Sequence, residues 1–228
     1  MIKKLQTPII IINFKTYLEA TGKRAVELAR KAEKISLGLG VSVGLAPQFT
    51  DIVSVAKAVS IPVLAQHVDS IQPGSHTGYI LVDAVKKAGA IGTLINHSER
   101  QLKLPEIDAV IRITRKKSLV SVVCTSNPKI GAAVASLMPD VIAIEPPQLI
   151  GTGIPVSKAQ PEVITNTIDL VRRINEKVVL LCGAGISSGE DVMAALRLGA
   201  QGVLVASGIV KARDPSRVLR EFAESTKI

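Results

Sequence analysis

The feature that most constrains the fold of this chain is a short apolar run that recurs eight times, with an amphipathic segment after each copy. The runs are rich in Val and Ile and lack polar alternation, which is typical of parallel strands covered on both faces. Each run is far shorter than the ~20 apolar residues that a membrane-spanning helix needs. We therefore predict buried strands at residues 9–12, 41–46, 63–66, 93–96, 120–124, 141–144, 178–181 and 203–206.

The amphipathic segments have apolar residues at helical spacing, so each strand is followed by a predicted helix. Eight such units form either a closed barrel or an open doubly wound sheet. The open sheet usually has a Gly-rich turn after its first strand, whereas here that strand ends in Asn13-Phe14-Lys15. We therefore predict a (β/α)8 barrel of the α/β class, as a single domain over residues 1–228. The predicted helices are 20–36, 51–59, 81–88, 105–117, 128–137, 162–174, 189–198 and 215–224.

The charge of the chain allows two kinds of partner. The net charge is +9, but aromatic residues make up only 2% of the sequence and the longest basic run is Arg115-Lys116-Lys117. Nucleic-acid-binding proteins usually cluster their charge and add stacking aromatic side chains. We therefore expect a small anionic substrate and no nucleic acid. A non-enzymatic barrel that binds RNA or a partner protein is the alternative.

The two cysteines of the chain give information about its cellular compartment. Cys124 and Cys182 both lie inside apolar strand-like runs. Buried reduced thiols are more typical of such positions than a disulfide framework, which indicates a cytoplasmic protein. The start of the chain shows no apolar signal region, and we expect no membrane association.

Polar residues gather at the predicted carboxyl ends of the strands, where barrel enzymes place their active residues. Glu145 ends a buried run, and partial removal from water would favour proton uptake by its carboxylate. A base and an imidazole indicate proton transfer, and a lysine with free backbone amides would hold an anion. Each residue alone also fits a structural role, so the hypothesis depends on their coincidence. These strand-end residues are Asn13 and Lys15, His97, Glu145, Gly185, and Ala206 with Ser207.

The residues after Glu145 are typical of a mobile lid. Pro146 and Pro147 stiffen its start, and Gly151-Thr152-Gly153 ends it. A base beneath a lid indicates proton chemistry on a small substrate, since closure would exclude water.

These motifs together resemble the triosephosphate isomerase family, in particular its shorter archaeal form. The resemblance runs from end to end, and the order and spacing of the motifs make it specific. The motifs are Asn13-Phe14-Lys15, Ala65-Gln66, His76-Thr77-Gly78, Asn96-His97-Ser98-Glu99-Arg100, Glu145-Pro146, Ile150-Gly151-Thr152-Gly153 and Cys182-Gly183-Ala184-Gly185.

The resemblance implies a role for each polar residue in interconverting dihydroxyacetone phosphate and glyceraldehyde 3-phosphate. Glu145 would be the base, and His97 the electrophile, kept neutral by a helix that starts at Ser98-Glu99. Lys15 and Asn13 would stabilise the enediolate oxygen, with Glu99 as the partner of Lys15. Backbone amides would hold the phosphate, at Ile150, Gly151, Gly185, Ala206 and Ser207.

The resemblance also implies that the enzyme needs no cofactor and no metal, and His67, His76 and His97 show no ligand-like spacing with carboxylates. It implies a homo-oligomer in which the loop around Thr77 reaches the neighbouring subunit. A tetramer is favoured, and a dimer is the alternative.

Some residues depart from the commoner pattern of the family. The usual members have side chains that hold the closed lid where this chain has Pro147-Gln148-Leu149 and Cys182. They have a phosphate-binding hydroxyl where it has Gly185. The sequence therefore does not predict which contacts hold the lid closed. A different phosphate-binding barrel enzyme, such as a pentose-phosphate epimerase or an indole-pathway enzyme, is the nearest alternative. Those enzymes generally place paired acids or metal ligands at the barrel mouth.

Overall fold

The computed structural model describes residues 5–149 and 154–227, and its eight strands form one parallel sheet. The sheet runs in the order β2-β1-β8-β7-β6-β5-β4-β3. A bridge between Leu45 and Val63 joins its two end strands and closes the barrel. The predicted (β/α)8 barrel is confirmed. The strands are β1 (Ile9–Asn13), β2 (Ser42–Ala46), β3 (Leu64–Ala65), β4 (Gly92–Ile95), β5 (Val120–Thr125), β6 (Val141–Ile144), β7 (Val179–Gly183) and β8 (Gly202–Val205).

The absence of polar alternation in the strands follows from burial of both faces. In β1, Ile9 and Ile11 belong to the core inside the barrel. Ile10 and Ile12 belong to the layer between the sheet and the helices. All four are fully buried, so no position of the strand favours a polar residue until Asn13, where β1 reaches the barrel mouth.

The described residues contain ten α-helices, two more than we predicted. The additions, α6 and α9, are single turns of four residues, too short to show a helical repeat. The first helix starts at Lys23 and not at Ala20, because a 3-10 turn precedes it and Gly22 turns the chain with φ of 61°. The helices are α1 (Lys23–Leu39), α2 (Ile52–Ala58), α3 (Val82–Lys87), α4 (Leu104–Lys116), α5 (Pro128–Ala135), α6 (Val156–Ala159), α7 (Pro161–Ile174), α8 (Gly189–Arg197), α9 (Ser207–Val210) and α10 (Pro215–Glu224).

Both cysteines are buried free thiols, which confirms the predicted reduced state. Burial, and secondarily the charge of Glu145, raises the pKa of the Cys124 and Cys182 thiols. Both side chains therefore stay protonated at neutral pH. Cytoplasmic location stays a prediction.

Residues 5–149 and 154–227 contain neither a membrane-spanning helix nor a cluster of metal ligands. No helix in these ranges is long and apolar enough to cross a bilayer. In the same ranges, no three His, Cys, Asp or Glu side chains are grouped so as to hold a metal ion.

Gly202 sets the contact between β8 and β1. Its φ is +150°, and a Cβ at this position would lie 2.1 Å from the backbone oxygen of Ile9. Gly202→Ala is therefore expected to lower the free energy of unfolding by roughly 2–3 kcal/mol, because the strands must move apart. Urea denaturation followed by circular dichroism measures this change.

Gly38 provides the matched control for that substitution. It lies in α1, where an added Cβ would meet no atom within 4 Å. Gly38→Ala is expected to raise the free energy of unfolding by about 0.5–1 kcal/mol, because alanine favours the helix. Equal effects of the two substitutions would contradict this account of the β8–β1 contact.

Candidate active site

A cavity of about 310 Å³ lies at the carboxyl ends of the strands. It is open at the barrel mouth, and its walls come from β1, β4, β6, β7 and β8 and the turns that follow them. Ile150 and Gly151, which the sequence also places at the site, lie outside the described residues. The cavity brings together the other predicted site residues that face the substrate, namely Asn13, Lys15, His97, Glu145, Gly185, Ala206 and Ser207.

Glu145 places a buried carboxylate in this cavity. Its backbone N–H donates to the carbonyl of Thr125 at 2.8 Å, which continues the β5–β6 pairing and fixes the start of the side chain. The residue is only 5% exposed, and Oε2 accepts no hydrogen bond from the described residues. An unsatisfied buried acceptor of this kind costs about 1–3 kcal/mol. The carboxylate is therefore available to accept a proton.

Gly183, at the end of β7, makes room for that carboxylate. A Cβ on Gly183 would lie 2.5 Å from Cγ of Glu145 and 2.8 Å from Oε1. Atoms that are not bonded to each other do not approach so closely, so any side chain at this position would displace Glu145. The sequence motif contained Gly183, but nothing in the sequence revealed this contact.

His97 faces Glu145 across the cavity and is 8% exposed. Its Nε2 lies 3.8 Å from Oε1 of Glu145. The backbone N–H of Glu99 donates to Nδ1 at 3.2 Å, so Nδ1 acts as an acceptor and carries no proton. With Nδ1 as the acceptor, the ring N–H lies on Nε2, which faces the Glu145 carboxylate.

The prediction of a helix that starts directly after His97 is wrong. The chain makes a turn there, closed by the N–H of Arg100 donating to the His97 carbonyl at 2.7 Å. The helix α4 begins only at Leu104. In such a helix the N–H of Leu102 would donate to the Ser98 carbonyl, but it donates to Oδ1 of Asn96 at 2.8 Å instead.

Lys15 is held in a left-handed backbone conformation, with φ of 46°. Such a conformation is uncommon for a side chain of this size and marks sites where surrounding contacts impose it. The Lys15 N–H donates to Oδ1 of Asn13 at 2.9 Å. Nε2 of Gln66 donates to the Lys15 carbonyl at 2.9 Å and to the Ala46 carbonyl at 3.0 Å. One amide group therefore bonds both to the backbone of Lys15 and to the end of β2.

Glu99 pairs with Lys15, as the family resemblance implied. The Nζ atom of Lys15 lies 2.7 Å from Oε1 of Glu99. The Lys15 side chain is 13% exposed and that of Glu99 is 58% exposed. Water thus screens the glutamate more than the lysine, and the ammonium group keeps part of its field for an anion in the cavity.

Two turns line the opposite wall of the cavity. One follows β7 at Gly185–Ser187, and the other leads from β8 into α9 at Ala206–Gly208. They are in direct contact, since a Cβ on Gly208 would lie 2.8 Å from the Ile186 carbonyl oxygen. The first N–H groups of α9 have no partner within the helix and are suited to bind an anion.

The residues on either side of the predicted lid are described, although residues 150–153 are not. The first end is a 3-10 turn, Pro147–Leu149, and the second leads through Pro155 into α6. Nε2 of Gln148 lies 3.3 Å from Oε1 of Gln160 and donates a hydrogen bond across the base of the lid. The departure from the usual lid sequence thus brings a contact of its own.

Tyr17 also lines the cavity, and sequence reasoning missed it. Nζ of Lys211 lies 5.0 Å from the centre of its ring, within the range of a cation–π contact. A single aromatic residue in a turn gives no sequence signal for such a role.

The fold and the cavity define a class of protein. A (β/α)8 barrel with a buried carboxylate, an imidazole and a lysine at the carboxyl ends of its strands is a barrel enzyme of acid–base type. Comparison with known proteins then narrows the class. The sequence model of a family described as triosephosphate isomerase matches residues 8–224.

Three relatives named triosephosphate isomerase are similar to the chain over nearly its whole length. The protein of Methanocaldococcus jannaschii is 55% identical over 94% of this chain and 98% of its own. That of Methanobacterium bryantii is 54% identical over 95% and 96%, and that of Methanothermus fervidus 51% over 96% and 98%. The chain belongs to the triosephosphate isomerase family.

Proposed function

We propose that this enzyme interconverts dihydroxyacetone phosphate and D-glyceraldehyde 3-phosphate by moving a proton between adjacent carbons. The observation that carries the proposal is the pair formed by Glu145 and His97. Oε1 of Glu145 lies 3.8 Å from Nε2 of His97 in the same cavity. A base and a hydrogen-bond donor that face each other across a small cavity suit removal of a proton next to a carbonyl.

In the forward direction, Glu145 takes a proton from C1 of dihydroxyacetone phosphate. The electron pair of that C–H bond forms a C1–C2 double bond, and the carbonyl electrons move to the C2 oxygen. His97 gives its Nε2 proton to this oxygen and takes the proton of the C1 oxygen. Glu145 then returns its proton to C2, which leaves an aldehyde at C1 and restores both side chains.

Lys15 and Asn13 stabilise the negative charge that develops on the enediolate oxygens. A fixed cation in a water-poor cavity stabilises such charge more strongly than water does, because it needs no reorganisation. The Lys15 ammonium is positioned by the Glu99 carboxylate at 2.7 Å, and its backbone by Asn13 and Gln66.

The phosphate group of the substrate would occupy the wall formed by the two turns. Gly185 approaches it without a side chain, and the N–H groups at the start of α9 offer donors beside Ala206 and Ser207. Ile150 and Gly151 of the lid would complete the contact. Closure of the lid would keep water from the enediolate, which otherwise loses its phosphate group.

The test is a coupled assay of the purified protein with glyceraldehyde 3-phosphate, together with inhibition by 2-phosphoglycolate, which carries a carboxylate in place of the reacting atoms. We expect rapid isomerisation and competitive inhibition. Activity on a pentose phosphate without activity on the triose phosphates would overturn the proposal.

The contact between Gly183 and Glu145 gives a sharp prediction. Gly183→Ala is expected to lower kcat by about 10²-fold, because a displacement near 1 Å removes the base from the reacting carbon. Steady-state kinetics and the thermal midpoint of unfolding would both be measured.

Gly44→Ala is the control for this prediction, since a Cβ there meets no atom nearer than 3.6 Å inside the same barrel. Its kcat is expected to stay close to that of the wild type. A similar loss in both variants would show that the effect of Gly183→Ala comes from the barrel and not from the base.

We also propose a homotetramer, with a dimer as the alternative outcome. The turn around Thr77 is exposed from Ser75 to Gly78, which supports its availability to a neighbouring subunit. Light scattering coupled to gel filtration distinguishes the two, at four or two times the 24.1 kDa mass of the chain.

A further inference from the structure

Asn96 lies between β4 and the His97 turn, which comprises residues 97–102. It follows the last paired residue of the strand, since the β4–β5 register ends with Ile95 opposite Val123. Its backbone is left-handed, with φ of 60°. Glycine adopts this conformation at no steric cost, whereas asparagine does so when its side chain makes hydrogen bonds nearby. The side chain of Asn96 therefore contributes contacts that glycine could not supply.

Both ends of the Asn96 amide are bonded. Nδ2 donates to the Cys124 carbonyl at 2.9 Å, so the side chain continues the contact with β5 after β4 itself has ended. Oδ1 accepts a hydrogen bond from the N–H of Leu102 at 2.8 Å, which closes the His97 turn at its far end. One side chain thus holds both the start and the end of the turn against β5.

The end of β5 also holds the base. The carbonyl that follows that of Cys124 belongs to Thr125, and it accepts a hydrogen bond from the Glu145 N–H at 2.8 Å. Two consecutive carbonyls of β5 therefore anchor the segments that carry His97 and Glu145. The distance of 3.8 Å between Nε2 of His97 and Oε1 of Glu145 depends on both anchors.

The His97 turn carries more of the site than the imidazole. The N–H of Glu99 donates to Nδ1 of His97 at 3.2 Å, and the Glu99 carboxylate lies 2.7 Å from Nζ of Lys15. A shift of the turn would therefore move the imidazole, the N–H that fixes its proton and the partner of the lysine together. Asn96 is not among the described residues that line the cavity, so it acts through the residues it holds.

We propose that Asn96 is a positioning residue, whose amide sets the place of His97 relative to Glu145 by attaching the His97 turn to β5. Its effect on turnover rests on the proposed function, whereas its effect on the imidazole does not. Without the amide, the turn is free to move away from β5. A displacement near 1 Å of a group that transfers protons costs about 10²-fold in rate.

The experiment compares Asn96→Gly with Ser118→Gly. Both substitutions relieve a left-handed backbone, since φ of Ser118 is 56°, and Ser118 is exposed before β5, at the other end of the strand from Cys124. We expect kcat to fall by about 10- to 100-fold in Asn96→Gly, with KM within a few-fold of the wild type, because other turns form the phosphate wall. Ser118→Gly should keep the wild-type kcat. The thermal midpoint of unfolding shows that both variants are folded.

Nitrogen-15 NMR of the imidazole gives a readout that needs no turnover. At about pH 8.5, above the ordinary pKa of histidine, we expect His97 to show one tautomer in the wild type and in Ser118→Gly, with the proton on Nε2. In Asn96→Gly we expect a mixture of tautomers, because the Glu99 N–H no longer stays at Nδ1. The chain has three histidines, and the signals that are missing in His97→Gln identify His97.

Asn96→Asp separates the two bonds of the amide. The carboxylate keeps an acceptor for the Leu102 N–H and loses the donor to the Cys124 carbonyl. We expect kcat to fall as far as in Asn96→Gly, because the bond to β5 sets the position. The added charge shifts the pH at which kcat is half-maximal, whereas a displaced imidazole lowers the plateau, so kcat is compared at the plateau.

The outcomes separate this proposal from the proposed function. An inactive wild type whose His97 signals change in Asn96→Gly overturns the proposed function and supports the placement of the imidazole by Asn96. Equal kcat in an active wild type and in Asn96→Gly overturns the positioning role. A wild-type plateau in Asn96→Asp also overturns it, because the bond to Leu102 would then suffice. A loss of kcat with unchanged His97 signals overturns it too, since the loss would not arise at the imidazole.

Discussion

Glu145→Gln is expected to lower kcat by about 10³- to 10⁴-fold, the upper range for loss of a positioned base. The amide matches the carboxylate in shape, so the contact with Gly183 and the bond from the Glu145 N–H to Thr125 are retained. What is lost is the ability to take a proton from C1. Steady-state kinetics in both directions, with uptake of solvent deuterium into the substrate, measures this loss directly.

Glu176→Gln provides the control for the loss of a carboxylate, because Glu176 is exposed before β7. Its kcat is expected to match the wild type. If Glu145→Gln retained kcat within a few-fold of the control, Glu145 would not be the base, and another group would have to move the proton.

Lys15→Met is expected to lower kcat/KM by about 10³-fold, as for removal of a fixed charge that faces the transition state. Among the described residues that line the cavity, Lys15 is the only lysine or arginine. Its loss leaves the enediolate and the phosphate with only neutral donors, while Glu99 is left without its cation. Kinetics at several salt concentrations, with the affinity for 2-phosphoglycolate, measures both effects.

Lys23→Met is the matched control. Lys23 is exposed at the start of α1, and its substitution removes the same charge from the chain. We expect kcat/KM to stay near the wild-type value in this variant. Equal losses in the two variants would indicate that the overall charge, and not the position of Lys15, draws the substrate to the cavity.

The sequence predicted the barrel because burial on both faces leaves a strong pattern. Four consecutive isoleucines in β1 have no polar residue among them, and the other strands are likewise mostly apolar. The helices α6 and α9 were missed, because one turn cannot repeat a 3.6-residue period. The start of α1 was misplaced by three residues, since Gly22 turns the chain after a short 3-10 turn.

The site was predicted as a set of residues but not as a set of contacts. Strand ends converge in a barrel, so the gathering of Lys15, His97 and Glu145 followed from their positions. The proton position on His97 depends on a single backbone N–H, and the space for the Glu145 carboxylate depends on Gly183 of the neighbouring strand. Such contacts leave no spacing that a sequence reader can detect.

The amide of Gln66 has a consequence for how this enzyme can change by mutation. The strands β2 and β3 are joined by a single bridge, at Leu45 and Val63, and the Gln66 side chain adds a bond from the end of β3 to Ala46. The same nitrogen holds the carbonyl of Lys15. A substitution that strengthens or loosens this join therefore moves the lysine as well, so thermal adaptation and turnover are not independent at this point of the barrel.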